Sequence, residues 1–91
     1  MLVAAIIDVA PADIERFRVY EEVVLGLLER HGGRLERRLR SDDGSSEIHL
    51  IEFADPAGYT AYLADPDRAS AQRLIDGADI TTRAFVVDDL I

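Results

Sequence analysis

The fold of this 91-residue chain is decided by residues 31–53, HGGRLERRLRSDDGSSEIHLIEF. Gly32 and Gly33 end the helical pattern that runs up to His31, because glycine readily takes the left-handed conformation in which many helices end. An arginine-rich strand, residues 34–40, then meets a second strand, residues 47–53, across a polar turn. Asp43-Gly44 is a favoured pair for a two-residue hairpin turn. The stretch therefore predicts a helix end followed by a β-hairpin.

A two-residue turn at this position would fix the register of the hairpin. Arg40 then faces Glu47, Arg38 faces His49, and Leu35 faces Glu52. One face of the hairpin would carry Leu35, Leu39, Ile48 and Leu50, with Arg37 and Glu52 as a diagonal polar pair. The other would carry Arg38, Arg40, Glu47, His49, Ile51 and Phe53. A bulge would change this assignment, since a slip of one residue exchanges the faces.

The segments around the hairpin complete a simple order of elements. Residues 2–9 are almost continuously apolar and predict a strand covered on both faces. A helix begins at Pro11, and the apolar spacing from Ile14 to His31 predicts one buried helix face. Asp55-Pro56 and Asp65-Pro66 predict the two starts of a broken helix, with aspartate as the cap and proline in the first position. Residues 81–87 predict the last strand.

This order predicts an α+β fold, a ferredoxin-like βαββαβ sandwich in which helices cover one face of a four-stranded antiparallel sheet. We take residues 1–91 as a single domain. A domain of this size buries only about 60–65% of its unfolded surface, so a second subunit would add needed burial. Because the strands are apolar on both faces, the uncovered face is expected to meet a second copy. A homodimer is therefore predicted.

The amino-acid composition excludes several classes of binding partner and several kinds of site. The net charge of −8 argues against nucleic acid and anionic membranes as partners, because phosphate binding needs a positive field. The absence of cysteine excludes disulfides and thiolate metal sites. The apolar run at residues 1–7 is too short for a signal peptide core or a membrane span, so a cytoplasmic protein is expected. No motif has metal-ligand spacing, and we expect neither a metal nor a cofactor.

The chain resembles the dimeric α/β-barrel superfamily, which includes antibiotic-biosynthesis-monooxygenase-like domains, and within it a small bacterial domain family of unknown function. The residues that carry the resemblance are Tyr20, His31-Gly32-Gly33-Arg34, Ile51-Glu52-Phe53, Asp55-Pro56, Tyr59-Thr60-Ala61-Tyr62 and Asp65-Pro66. The resemblance implies a homodimer with a pocket between sheet and helices in each subunit. Relatives of this fold include cofactor-free oxygenases of aromatic polyketides, haem-degrading enzymes, lactone isomerases and polyketide cyclases. The fold therefore does not predict which reaction, if any, the protein catalyses.

His49 is the first candidate catalytic residue. It lies in mid-strand opposite Arg38, whose guanidinium would favour the neutral imidazole and leave a base near neutral pH. Tyr20 lies on the buried stripe of the first helix, where its hydroxyl would donate a hydrogen bond to a substrate. The alternatives are a half-exposed histidine in a polar hairpin and a tyrosine that packs its ring in the core.

Five further residues are candidates for substrate binding: His31, Arg37, Tyr59, Tyr62 and Arg83. His31 either points into a pocket or interacts with the negative end of its helix. Arg37 belongs to a basic patch that would hold a carboxylate or phenolate, the alternative being pairing with nearby glutamates. The same alternative applies to Arg83. Tyr59 and Tyr62 either line a pocket or pack in the core.

Two classes of function stay open. The first is an enzyme that oxygenates, isomerises or cyclises a small apolar, aromatic or polyketide-like molecule without a cofactor. In that enzyme His49 would accept a proton, Tyr20 would donate a hydrogen bond and Arg38 would tune His49. The second class is a non-catalytic dimeric module for binding, sensing or an accessory role.

Overall fold

Four strands form one antiparallel sheet in the order β2-β3-β1-β4. The computed structural model describes residues 1–91. Its strands are β1 (Leu2–Val9), β2 (Gly33–Arg40), β3 (Ser46–Phe53) and β4 (Ile80–Val87), and its helices are α1 (Ile14–Leu25), α2 (Pro56–Leu63) and α3 (Pro66–Ala71). Short 3₁₀ turns cover Pro11–Asp13, Leu28–His31 and Gln72–Ile75. The predicted ferredoxin-like α+β fold is confirmed.

The first helix is shorter than the sequence pattern predicted. Helix α1 ends at Leu25, and the separate 3₁₀ turn that follows ends at His31. Gly26 stands between them, and glycine inside a helix costs about 1 kcal/mol relative to alanine. Gly32 then ends the second piece as predicted, with a left-handed φ of 72°.

The two predicted aspartate caps are confirmed. The side chain of Asp55 accepts a hydrogen bond from the Gly58 backbone at 2.8 Å, and that of Asp65 accepts one from the Asp67 backbone at 2.8 Å. A proline follows each cap. These local signals fix where α2 and α3 begin, because a capping side chain satisfies backbone donors that have no partner within the helix.

The hairpin register is confirmed near the turn and is wrong further along. Arg38 pairs with His49 as predicted. Beyond Arg37 a β-bulge shifts the pairing, so that Leu35 faces Ile51 and not Glu52. The shift turns Leu35 to the helix-covered face, where it packs against the core.

The turn and one polar pair also differ from the prediction. Gly44 has a positive φ of 79°, whereas no residue other than glycine does, so Asp43 cannot form the predicted two-residue turn with it. Instead the Gly44 backbone donates to the Ser41 carbonyl at 2.9 Å, within a longer connection. The predicted Arg37–Glu52 pair is also wrong, since the Glu52 carboxylate lies 2.9 Å from the amino group of Met1.

The two faces of the sheet have different surroundings. The helix-covered face buries four alternate residues of β3: Glu47, His49, Ile51 and Phe53. The opposite face, which we call the outer sheet face, exposes Leu39, Ile48 and Phe85 at 40%, 41% and 41%. None of the helices is long and apolar enough to cross a bilayer.

Candidate functional site

A cavity of about 470 Å³ lies between the helices and the covered face of the sheet. This volume falls within the range of about 300–1,000 Å³ that is usual for small-molecule pockets. Its walls are mostly apolar and come from β1, β3, β4, α1, α2 and the segment around α3. Thr82 and Ala84 line it from β4 and are exposed, so the cavity opens over this edge strand.

Polar side chains enter the wall from several elements. They are Tyr20 and Glu21 from α1, His49 from β3, Arg68 from α3, Gln72 from the turn after it and Thr82 from β4. Tyr20 and Glu21 share the buried face of α1 with Phe17 and Val24, because residues three and four positions apart lie on one side of a helix. The apolar stripe of α1 thus carries a carboxylic acid into the cavity wall.

Glu47 anchors His49 from one side. Its Oε1 accepts a hydrogen bond from Arg38 Nε at 2.8 Å and lies 2.8 Å from His49 Nε2, and its Oε2 accepts from Arg40 Nε at 3.1 Å. Burial opposes ionisation, but these hydrogen bonds hold the pKa of Glu47 at about 2. An ionised carboxylate can only accept, so His49 donates through Nε2 and its Nδ1 is the atom left to take a proton.

Glu21 faces the other ring nitrogen. Its Oε2 lies 3.6 Å from His49 Nδ1, and the residue is only 5% exposed. Burial and the charge of Glu47 raise the pKa of Glu21 to about 7, against the opposing charges of Arg38 and Arg68. A group with a pKa near the working pH is suited to accept and return protons. We call these two residues the Glu21–His49 pair.

The three tyrosines differ in what their hydroxyls do. The Tyr20 hydroxyl accepts from Gln72 Nε2 at 3.1 Å, which leaves its own hydrogen free to donate into the cavity. Burial raises the pKa of Tyr20, so the phenol stays neutral. The Tyr62 hydroxyl donates to the Val24 carbonyl at 2.9 Å, and Tyr62 therefore lines the cavity with its ring. Tyr59 also lines the cavity.

Three sequence-predicted binding residues lie outside this wall. His31 Nε2 lies 2.6 Å from Asp65 Oδ2 and so ties the turn before β2 to the cap of α3. Arg37 is exposed on the outer sheet face. Arg83 lies on that face as well, with its guanidinium 5.5 Å from the centre of the Phe85 ring. The structure does not bring these three residues together with His49.

His49 and Arg38 differ from their sequence-based description in two ways. His49 is 3% exposed, so the alternative of a half-exposed histidine in a polar hairpin is wrong. Arg38 is hydrogen-bonded to Glu47, whose carboxylate lies between it and the imidazole and compensates its charge. The predicted tuning of His49 by Arg38 stays a prediction.

Sequence reasoning missed Glu21, Arg68 and Gln72. An acidic residue on the apolar stripe of α1 was a usable signal for Glu21, because a buried carboxylic acid is rare without a partner. Arg68 and Gln72 are four positions apart and so share a helix face, but their local sequence gives no sign that this face is turned to the sheet. No group of three histidine, aspartate or glutamate side chains is arranged to hold a metal ion.

Comparison with known proteins identifies the fold. No family model matches the chain, and no curated protein matches its sequence. A proposed antibiotic biosynthesis monooxygenase from Bacteroides thetaiotaomicron superposes with a TM-score of 0.80 at 18% identity, over 100% of this chain and 90% of that chain. SnoaB, a cofactor-independent oxygenase from Streptomyces nogalater, superposes with a TM-score of 0.70 at 17% identity, over 99% and 94%.

The chain has the fold of the antibiotic biosynthesis monooxygenase domains. An uncharacterised NIPSNAP domain protein from Burkholderia xenovorans shares it, with a TM-score of 0.64 at 19% identity over 100% of this chain and 98% of that chain. The ferredoxin-like fold that the resemblance implied is therefore confirmed. Identities this low carry no information on the reaction, which depends on the site.

Proposed function

We propose that this protein binds a small, mostly apolar aromatic molecule in the cavity and oxygenates it without a cofactor. The observation that carries the proposal is the Glu21–His49 pair, which places a proton acceptor in the wall of a largely apolar cavity. The pKa of Glu21, raised to about 7, matches the requirement for a general base near neutral pH. Oxygenation is chosen among proton-transfer reactions by analogy of fold alone, since SnoaB, a cofactor-independent oxygenase, has the same fold.

The reaction begins with the removal of a proton from an acidic C–H bond of the substrate. The electron-rich carbanion that remains reduces O₂ and combines with it to give a peroxide, and water then leaves. For anthrone the sum is anthrone plus O₂ giving anthraquinone plus water: the two C–H bonds of the methylene carbon break, one oxygen atom becomes the new carbonyl and the other leaves as water. The Tyr20 hydroxyl donates a hydrogen bond to the oxygen on which negative charge develops.

Oxygen uptake with anthrone tests this proposal. We expect the protein to accelerate uptake and to form anthraquinone in equal amount to the O₂ consumed. Tyr20→Phe is expected to lower the catalysed rate by about tenfold, because one hydrogen bond to the developing charge is lost. An oxygen electrode and the absorbance of the product measure both quantities.

The control for this assay is the slow spontaneous oxidation of anthrone, recorded without protein and with heat-unfolded protein. A folded protein that gives only the spontaneous rate would contradict oxygenation of this substrate class. If the oxygenation rate is the same in Tyr20→Phe as in the wild type, Tyr20 has no role in the mechanism, while the proposed proton removal by the Glu21–His49 pair still stands.

A non-catalytic binding module is the second candidate, and one observation favours it. Both ring nitrogens of His49 face carboxylates of the protein itself, at 2.8 Å for Glu47 and 3.6 Å for Glu21. A histidine held in this way has a structural role without catalysis. Native mass spectrometry of freshly purified protein, before and after denaturation, would identify a retained ligand. Recovery of that ligand unchanged after incubation in air would favour the module.

We also propose that the protein is a homodimer joined through the outer sheet face. Leu39, Ile48 and Phe85 expose large apolar side chains on this face, and no helix covers it. Ile48 lies within the patch, because its strand neighbours in the pairing are Leu39 and Ile6. A contiguous exposed apolar patch marks an interaction surface, and a second copy presents the same patch in return.

Ile48→Asp is expected to convert the dimer to a monomer. A carboxylate buried in an apolar interface without a partner costs several kcal/mol, which weakens association by at least about 100-fold. Light scattering during gel filtration measures the mass. Val19→Asp is the matched control, since Val19 is 55% exposed on α1 on the other side of the molecule, and it is expected to stay dimeric. A monomeric wild type would contradict the dimer.

A further inference from the structure

Arg68 is the one arginine in the cavity wall, and it has no charged partner. Its guanidinium carbon lies 5.1 Å from the centre of the Tyr62 ring. Its Nε atom is buried and makes no hydrogen bond, and no carboxylate oxygen lies within 4.0 Å of its nitrogens. A buried donor without an acceptor costs about 1–3 kcal/mol. Because the protein closes off this Nε atom, a ligand in the cavity would contact Arg68 through the terminal nitrogens of its guanidinium.

The arginines that hold the fold together are arranged differently. Arg38 and Arg40 are bound to Glu47, and Arg30 is bound to Asp65, each at 2.8–3.1 Å. Their charges are therefore compensated within the protein. Arg68 has no such ion pair, and Glu21 in the same cavity wall compensates its charge only when it is ionised, above a pH of about 7. Within a mostly apolar cavity such a charge attracts an anion more strongly than it would in water.

The groups beside Arg68 are also hydrogen-bond donors. Gln72 donates to the Tyr20 hydroxyl at 3.1 Å, and the hydrogen of that hydroxyl has no partner in the protein. Arg68, Gln72 and Tyr20 all line the same cavity. A carboxylate matches a set of donors, because each of its oxygens accepts and the two together fit the planar fork of a guanidinium.

We infer that the ligand is an aromatic acid, whose carboxylate is bound by Arg68 and whose rings lie among the apolar residues of the cavity. The inference rests on the proposed function, since it names the ligand class for the same cavity. The ring of Tyr62 beneath the guanidinium holds the side chain in place and adds a favourable cation–π contact. Specificity then comes from one charged contact and a shaped apolar wall.

Calorimetric titration with 2-naphthoate and 2-naphthamide tests the inference. The two probes share their ring system and nearly their shape, but only naphthoate is charged. We expect the wild type to bind naphthoate at least about tenfold more tightly. Arg68→Gln is expected to abolish this preference and to change naphthamide binding by less than about twofold. The titrations are made near pH 6, where Glu21, with its pKa of about 7, is mostly uncharged and does not repel the carboxylate.

Arg73→Gln is the matched control variant. Arg73 lies next to Gln72 in the chain but is exposed, does not line the cavity and donates only to the Ser70 carbonyl. Its loss removes the same charge from the surface and is expected to keep the preference for naphthoate. Arg68→Lys keeps the charge but not the fork, so its preference is expected to fall between wild type and Arg68→Gln. It also serves as the test if circular dichroism shows that Arg68→Gln does not fold.

Three outcomes would overturn the inference: equal affinity for the two probes, a preference that survives in Arg68→Gln, or no binding of either probe at millimolar concentration. Because the titration measures binding without turnover, it is independent of the oxygen-uptake assay. Failure of anthrone oxygenation with a retained naphthoate preference would overturn the enzymatic proposal and leave the ligand class standing. Turnover of anthrone without a preference for naphthoate would overturn the ligand class and leave the enzymatic proposal standing.

Discussion

Glu21→Gln is expected to lower the rate of anthrone oxygenation by about 10²–10³-fold and, near pH 8, to raise the stability of the fold by about 1–3 kcal/mol. Glutamine nearly keeps the shape of the side chain but cannot take a proton. The same substitution removes a buried carboxylate that is costly when ionised, since burial and the charge of Glu47 raise the pKa of Glu21 to about 7. Activity and stability therefore change in opposite directions.

The sign of the stability effect follows from proton linkage. The folded protein binds the proton of Glu21 more tightly than the unfolded chain, whose pKa is about 4.5. The stability that this protonation contributes is fully present below about pH 4.5 and is lost as the pH rises through about 7. Urea unfolding of wild type and variant near pH 5 and pH 8 is expected to show the larger gain at the higher pH.

The pH dependence of kcat/KM provides the second readout for Glu21. In the wild type the value is expected to rise with pH through a midpoint near 7, and in Glu21→Gln this rise is expected to disappear. Glu22→Gln is the matched control, because Glu22 is the exposed neighbour on α1 and does not line the cavity. An unchanged pH profile in Glu21→Gln would assign the proton to another group.

Glu47→Ala is expected to destabilise the protein by about 3–5 kcal/mol, the usual cost of removing one partner from a buried ion pair. The Glu47 side chain is 1% exposed and accepts from both Arg38 and Arg40. Without it, the buried Nε2 of His49 has no acceptor. For a domain of this size the loss corresponds to a decrease in melting temperature of more than about 12 °C, measured by circular dichroism.

Acid sensitivity gives a further test of Glu47. Its pKa is held at about 2, below the ordinary value of 4.5, so the stability that it contributes is present above about pH 4.5 and is lost as the pH falls towards 2. Wild type is therefore expected to lose more stability on acidification than Glu47→Ala.

Glu36→Ala is the control for Glu47, since Glu36 pairs only with Arg34 at the surface and such pairs contribute about 0–1 kcal/mol. An unchanged melting temperature in Glu47→Ala would contradict a structural role for the network around His49.

Much of the fold was predictable because its signals are local. The caps Asp55 and Asp65, and Gly32 at the end of the turn before β2, act on backbone groups within a few residues. The placement of His49 on one face with Ile51 and Phe53 followed from strand alternation alone. The topology followed from the order of these elements, since few arrangements bury a βαββαβ chain of this length.

The predictions that failed needed information from outside the local sequence. The bulge that turns Leu35 towards the core is favoured by apolar burial against a core cluster whose members, Phe53 and Leu28 among them, belong to other elements. The end of α1 at Leu25 depends on how the following turn packs as much as on Gly26. Local propensity is overridden where burial on another element gains more free energy.

The chemistry of the cavity was decided only by the tertiary structure. The sequence by itself determined a sheet with helices on one face and a histidine on the same face of β3 as Ile51 and Phe53, and the tertiary structure decided that the helices cover this face. Packing α1 and α3 against that sheet brought Glu21 to His49 and left Arg68 without a partner, although these residues lie far apart in the chain. Burial raised the pKa of Glu21 and left Arg68 Nε without a hydrogen-bond partner. Both effects depend on which groups exclude water from the side chain, and local sequence does not predict those groups.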